Sequence, residues 1–582
     1  MQAIDYTIIG IYFAFSFVIA ILIFRKSGRN TENFFLSGRS LPWWISGTAM
    51  VATTFAADTP LAVTELVAAS GIAGNWLWWN MVAGNVLTVF FFARLWRRAD
   101  ILTDVEFIEL RYSGRPAALL RGFKAVYLGV FMNTIIMGWV NVALAEIFRI
   151  IFGVGDDQIL IWIFGSMIFV GVYSAISGLW GISLTDVFQF IIAMAGCIIL
   201  AVYVLDLPQI GGVDGLKKAL PADVFLFVPR VSMTATAAGT AVLSLSFSAF
   251  MAHLFIQWWS SWYPGSEPGG GGYIAQRMMS SKDERHSILA TLWFTIAHYA
   301  LRPWPWIIVA LCSMVLYPGL SQADKKSGFI LAMKDHLPPG LIGLLVAAFL
   351  AAYMSTISTH LNWGTSYIIN DLYKRFIARD RDERHYVLVS RLVTIVLVFL
   401  STLSVLAIKT ISGAWSFIIE CGAGLGLVLI LRWYWWRINA WSEIAAMTAP
   451  FIAYPLARYV FKIRFPESLF FIVLFTTICW IAATFATKPV DETVLRKFHE
   501  RVRPGGAGWK RIAGGTGTEN IRGLFIDWLL GIVMVYSFLF SIGKIIFGEY
   551  FYGAGLAVLG LGLLFFISRR LRSGAGGRNE GF

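Results

Sequence analysis

The chain has 582 residues, 58% of them hydrophobic and 14% charged, with a formal net charge of +13 and a mean hydropathy of +0.69. An average soluble domain carries about 25% charged residues, so a soluble enzyme, a DNA-binding protein and a disordered scaffold are excluded. Apolar runs recur from Ile8 to Phe566, as in a polytopic membrane protein, where a Lys/Arg excess reports topology and not a nucleic-acid partner.

Crossing the bilayer core takes about 20 apolar residues. On that measure helices are expected over 5–24, 43–68, 74–96, 121–150, 158–177, 183–205, 237–262, 288–317, 340–370, 386–408, 412–436, 441–461, 467–486, 524–546 and 551–569, about fifteen spans in an all-α membrane protein. The first run has no basic region before it and is followed by Arg25, Lys26 and Arg29, so it reads as a retained helix and not a cleaved signal. An N-terminus outside and a C-terminus inside put roughly thirty Lys/Arg in inner loops against about ten in outer ones, including clusters at Arg277–Arg285, Lys374–Arg384 and Lys488–Arg522. The largest outer loop is 206–236; the largest inner ones are 97–120, 263–287 and 487–523, none long enough for a separate soluble domain. Pro268–Gly272 lacks a following Gly-Lys-Ser/Thr and reads as a flexible turn, not a phosphate loop. Cys197, Cys312, Cys421 and Cys479 lie in apolar runs without a CxxC pair and read as core residues.

Three runs carry polar residues at depths where each needs a partner. The second contains Thr53-Thr54-Phe55-Ala56-Ala57-Asp58-Thr59-Pro60. Pro60 removes the hydrogen bond to the Ala56 carbonyl; carbonyls freed near Ala52–Phe55 then suit a cation, or the run is a plain kink with Asp58 bonded to a neighbour. The ninth places Ser355, Thr356, Ser358 and Thr359 together, hard oxygens suited to Na⁺ or to bonds with their own and neighbouring helices. The sixth opens Ser183-Leu184-Thr185-Asp186, an acid that also suits a capped helix start. Separated breaks and buried acids describe a transporter without naming a solute. His253, His298 and His360 raise the rival of an intramembrane His-dependent enzyme, against which stands the lack of a His-x-x-Glu-His motif. A third alternative is a transport-derived solute sensor signalling through a partner protein.

Four motifs occur in order: Phe34–Trp44 (FFLSGRSLPWW), Thr185-Asp186-Val187-Phe188-Gln189, Met354-Ser355-Thr356, and Asn370-Asp371-Leu372-Tyr373. Over about residues 5–440 the chain resembles the sodium:solute symporter family, which includes sodium/glucose, sodium/proline and sodium/sialic acid transporters. The resemblance implies a leucine-transporter-like fold of five plus five inverted helices. It divides the chain into an extra N-terminal helix and loop at 1–42, repeats at 43–205 and 237–436, an outer loop at 206–236, and about four peripheral helices with a basic loop and tail at 437–582. It also implies a first Na⁺ site on Ala52, Phe55, Ala352, Ser355 and Thr356, with Asp58 as a sodium-coupling acid. Asp186, Ser355, Ser358 and Thr359 fall at a second Na⁺ site present in some members, so capacity for two ions and no organic cofactor is expected. The family's sugar contacts are replaced by Thr54, Thr59 and Trp78, which argues against glucose-like recognition. The candidate solute residues are Thr54, Thr59, Trp78, Trp79, Asn80, Asn133, Gln257 and Trp415, with Trp faces available to stack on a sugar or hold a cation. Gly422–Gly426 reads as small-residue packing or a hinge. The expected protein is a Na⁺-coupled importer of a small polar organic solute in the plasma (inner) membrane. It should work as a monomer whose partners are the solute and the bilayer, with no nucleic acid.

Overall fold

The computed structural model describes residues 1–27, 30–232, 244–321, 324–408, 411–514 and 520–576. They form a helical bundle. Its main helices are α1 (Ala3–Ser27), α2 (Trp43–Thr53), α3 (Asp58–Ser70), α4 (Ile72–Ala99), α5 (Gly114–Phe152), α6 (Ile159–Leu205), α7 (247–260), α8 (Gly272–Ser280), α9 (Glu284–Leu316) and α10 (Leu341–Ile377). Further helices follow at Glu383–Ser404, Ala440–Pro455, Ser468–Ala486, Ile521–Ile546 and Tyr550–Arg572, with a pair, Gly413–Cys421 and Leu425–Tyr434, bent by 47°.

Among the described residues nine helices are long and apolar enough to cross a membrane, or ten with the bent pair counted as one span. Every one of the fifteen expected runs carries helix, several as shorter or interrupted pieces; the run at 237–262 is helical over 247–260, and its first part lies partly outside the described residues. Large apolar side chains such as Ile161, Leu474, Val558 and Phe551 stay exposed on the outer helix faces, where a bilayer and not water is the solvent. The broadest helix contact is α6 against α10, which puts the Asp186 and Ser355 runs face to face. The stretch expected as an outer loop holds a short helix, Gly212–Ala219, and the strand Arg230–Ser232, which pairs in parallel with Ser244–Ser246.

Two helices are discontinuous. α2 stops at Thr53 and α3 begins at Asp58. Of the two readings the sequence left open, a break with freed carbonyls and a plain kink, the structure shows the break: Pro60 sits in the first turn of α3, where its missing N–H would have no intrahelical partner anyway. The second discontinuity corrects the expected inner loop at 263–287. Residues 261–271 are non-helical and almost wholly buried, and α8 follows them as the second half of a broken span. Gly265, Gly269, Gly270 and Gly272 all have positive φ, a conformation that side chains with a Cβ resist. At Gly270 a Cβ would lie 2.9 Å from both Met278 Cε and Trp96 Nε1. Irregular backbone at this depth persists only where protein satisfies it. Trp262 N–H donates to Gly422 O at 3.1 Å and Gly424 N–H donates to Ser260 O at 2.9 Å, so the Gly422–Gly426 bend seals the break. A third irregularity, at Gly178 (φ 58°), divides α6 where two spans were expected.

Candidate ion and solute site

The hydroxyl-rich face of α10 meets the end of α2. Thr356 Oγ1 donates to Thr53 O across the two helices at 2.8 Å, and Thr53 Oγ1 lies 3.1 Å from Thr359 Oγ1. Ala52, Phe55, Ala352, Ser355 and Thr356 are all buried there. The Ala52 carbonyl still accepts a hydrogen bond, at 3.0 Å from Phe55 N–H. Around it the chain leaves helical geometry, so carbonyls that a continuous helix would occupy become available. The groups facing one another are carbonyls and hydroxyls, the donor chemistry of hard cations.

The neighbouring hydroxyls are engaged differently. Ser355 Oγ donates to Asp186 Oδ1 at 2.7 Å, and Ser358 Oγ turns back to Ser355 O at 3.2 Å. Arg277, from α8, reaches the same place: its Nη2 lies 3.1 Å from Asp186 Oδ2 and 3.0 Å from Thr359 Oγ1. Both charged side chains have 0% exposure. Arg277 therefore belongs to the protein interior and not to the cytoplasmic cluster in which its sequence placed it. The cause is the break at 261–271, which returns the chain to the bundle as α8. Asp186 is no helix cap: it lies about two turns beyond Gly178 within α6. Ser46 Oγ of α2 donates to Arg277 O at 3.0 Å, joining the halves of the two broken helices.

Beside the α2 break lies a cavity of about 70 Å³. Thr54, Thr59, Trp78 and Trp415 from the expected solute set line it, as do Asp58 and Thr356. Trp79, Asn80, Asn133 and Gln257 do not. Trp79 packs on Trp76 and Phe540, and Asn80 Nδ2 donates to Trp76 O at 2.8 Å. Asn133 Nδ2 donates to His360 O at 2.8 Å, and Gln257 Nε2 donates to Leu77 O at 3.0 Å. The residues missed from sequence are Tyr263, Tyr299 and, above all, Arg302. Arg302 carried a signal, a single cation inside an apolar run and immediately before Pro303. Its Nε donates to His298 O at 3.1 Å, its Nη1 to Thr54 Oγ1 at 3.0 Å and its Nη2 to His298 Nε2 at 3.3 Å. His298 Nδ1 lies 2.9 Å from Thr54 Oγ1; with Nε2 accepting, Nδ1 carries the proton and donates, the assignment that the bonding pattern requires. His253 and His360 bond elsewhere, to Gln257 and Asn133. Among the described residues no group of three His, Cys, Asp or Glu side chains is placed to hold a metal.

A sequence model of the sodium:solute symporter family matches residues 34–449. The chain belongs to the sodium:solute symporter family. It is 24% identical over 520 residues to the sodium/glucose cotransporter of Vibrio parahaemolyticus, covering 84% of this chain and 92% of that one. It is likewise 24% identical over 470 residues to the osmoregulated proline transporter of Bacillus subtilis (strain 168), covering 75% and 85%. A solved Na⁺-coupled sialic acid symporter, in a substrate-bound outward-open state, superposes with a TM-score of 0.67 at 18% identity over 84% of this chain and 99% of the other. This symporter is thus a multi-pass membrane transporter of the sodium-coupled class with a leucine-transporter-like fold.

Proposed function

We propose that this symporter imports a small polar organic solute across the plasma (inner) membrane by alternating access, with Na⁺ bound between the α2 break and α10. The ion takes the carbonyls of Ala52, Phe55 and Ala352 and the hydroxyls of Ser355 and Thr356, and Asp58, at the start of α3, supplies negative charge beside it. The observation that carries this reading is the 2.8 Å bond from Thr356 Oγ1 to Thr53 O, which brings oxygens of α10 against the interrupted end of α2 at the wall of the cavity. An ion there would hold the two helices together and complete the solute site. The proposal keeps the N-terminus outside, about fifteen spans, repeats at 43–205 and 237–436, and a monomer as the working unit.

For the second ligand set, Asp186, Ser355, Ser358 and Thr359, we take the Arg277 guanidinium as a fixed positive charge that stands where a second ion would otherwise be needed. One Na⁺ is then carried per cycle. Moving one charge inward at about −100 mV yields about 2.3 kcal/mol, which supports roughly 50-fold accumulation from the potential alone. Sodium chloride should raise the unfolding temperature of the purified chain in detergent with a saturable dependence, where potassium and choline chloride do not. Equal stabilisation by all three salts would contradict the proposal.

A further inference from the structure

We infer that the solute carries a carboxylate and that Arg302 binds it. This rests on the symporter reading above and adds the chemical class of the solute. Arg302 is 2% exposed, and its partners are neutral: the His298 carbonyl and ring, the Thr54 hydroxyl and, at 3.4 Å, the Val51 carbonyl. Among the described residues no carboxylate oxygen comes within 4.0 Å of its guanidinium. A buried charge without a counter-charge costs several kcal/mol. Asp186 pairs with Arg277, whereas Asp58, on the same cavity wall, acts on Arg302 only from beyond ion-pair distance. Arg302 therefore presents to the cavity a guanidinium with no carboxylate in contact, and a solute carboxylate supplies that contact. A guanidinium presents two parallel N–H groups to a carboxylate and binds it more strongly than it binds a hydroxyl.

Trp78, stacked on Tyr299 with ring centroids 5.7 Å apart, and Tyr263 give the solute an aromatic wall. Arg302 also couples the solute to the ion. Its Nη1 holds Thr54 Oγ1 and the Val51 carbonyl, in the same turn as Ala52 and Phe55, so a carboxylate on Arg302 steadies the backbone that binds Na⁺.

A small monocarboxylate and an amino acid share this chemistry, and the test separates them. The purified full chain is unfolded thermally in sodium or choline chloride with acetate, propionate, L-lactate, pyruvate, L-alanine or D-glucose. Stabilisation by one or more carboxylates in sodium supports the inference: L-alanine alone marks an amino acid, with its ammonium on Asp58, and lactate or propionate marks a monocarboxylate. Arg302→Met should lower that affinity about 10- to 100-fold, the loss of a charged hydrogen-bonding partner. If Arg302→Met does not fold, Arg302→Lys, which keeps the charge and loses the planar fork, should lower affinity at least about fivefold. Response to glucose alone, to no carboxylate while sodium still stabilises, or unchanged affinity in the folded Arg302 variant would overturn the inference and leave the symporter reading standing. Stabilisation by carboxylates with no sodium effect would instead count against the symporter reading.

Discussion

Arg277 and Asp186 neutralise each other where neither touches solvent, so each depends on the other more than a surface pair would. Replacing Arg277 with Met strands a carboxylate among hydroxyls and should cost about 3–5 kcal/mol of stability in choline chloride. Sodium should then recover part of the loss, because Asp186, Ser355 and Thr359 are left as oxygen ligands without a guanidinium. The double variant Asp186→Asn/Arg277→Met removes both charges and should be steadier than Arg277→Met in choline. Unfolding temperatures in the two salts read this directly; a loss in Arg277→Met that sodium leaves unchanged would mean that Arg277 does not stand in for an ion. Asp186 was legible in the sequence because an acid in an apolar run is rare and demands a reason. Its partner was not. Arg277 lies between a glycine run and the charged stretch Lys282–Arg285, and no local pattern separates a buried cation in that setting from a loop cation.

The same contrast holds for helices. The first break was legible because Pro60 marks it and disturbs the turn before it, and the structure breaks the helix there, over 54–57. The second break holds Pro264 and Pro268, but within a Gly-rich run that imitates a solvent loop, and its burial depends on contacts with Ser260, Gly422 and Trp96 that are distant in sequence or formed only in the fold. Gly270→Ala tests how tightly that break is built. A φ of +75° and two contacts at 2.9 Å should cost about 1–3 kcal/mol, seen as a lower unfolding temperature. Gly555→Ala, whose Cβ would meet nothing within 4 Å in a peripheral helix, should leave stability unchanged or slightly raised. Equal effects of the two substitutions would contradict a closely packed second break.

Across the whole molecule, apolar periodicity located the helices, and four short motifs located the faces of the proposed ion site, because both signals are local. Charge read as topology was in part structure. Arg111 and Arg277, which fall in the expected inner loops, and Arg121 and Lys124, at the inner end of the next expected span, are buried. Arg121 pairs with Asp371 and Lys124 with Glu443, while Arg111 donates to the Arg432 carbonyl. Such ties connect α5, α10, the second half of the bent pair and the helix at Ala440–Pro455, and sequence composition carries no record of who pairs with whom. The solute cavity was the least legible part for the same reason: Thr54, Tyr263, Tyr299 and Arg302 come from three stretches that only the fold assembles. The central claim is that Na⁺ joins α10 to the α2 break, and the most direct measurement is the sodium concentration that half-saturates thermal stabilisation in the wild type, Thr356→Ala and Thr356→Ser. Loss of the hydroxyl should raise it about tenfold, and Ser, which keeps the oxygen, should stay within about twofold of the wild type; a folded Thr356→Ala variant with the wild-type half-saturation would contradict the account.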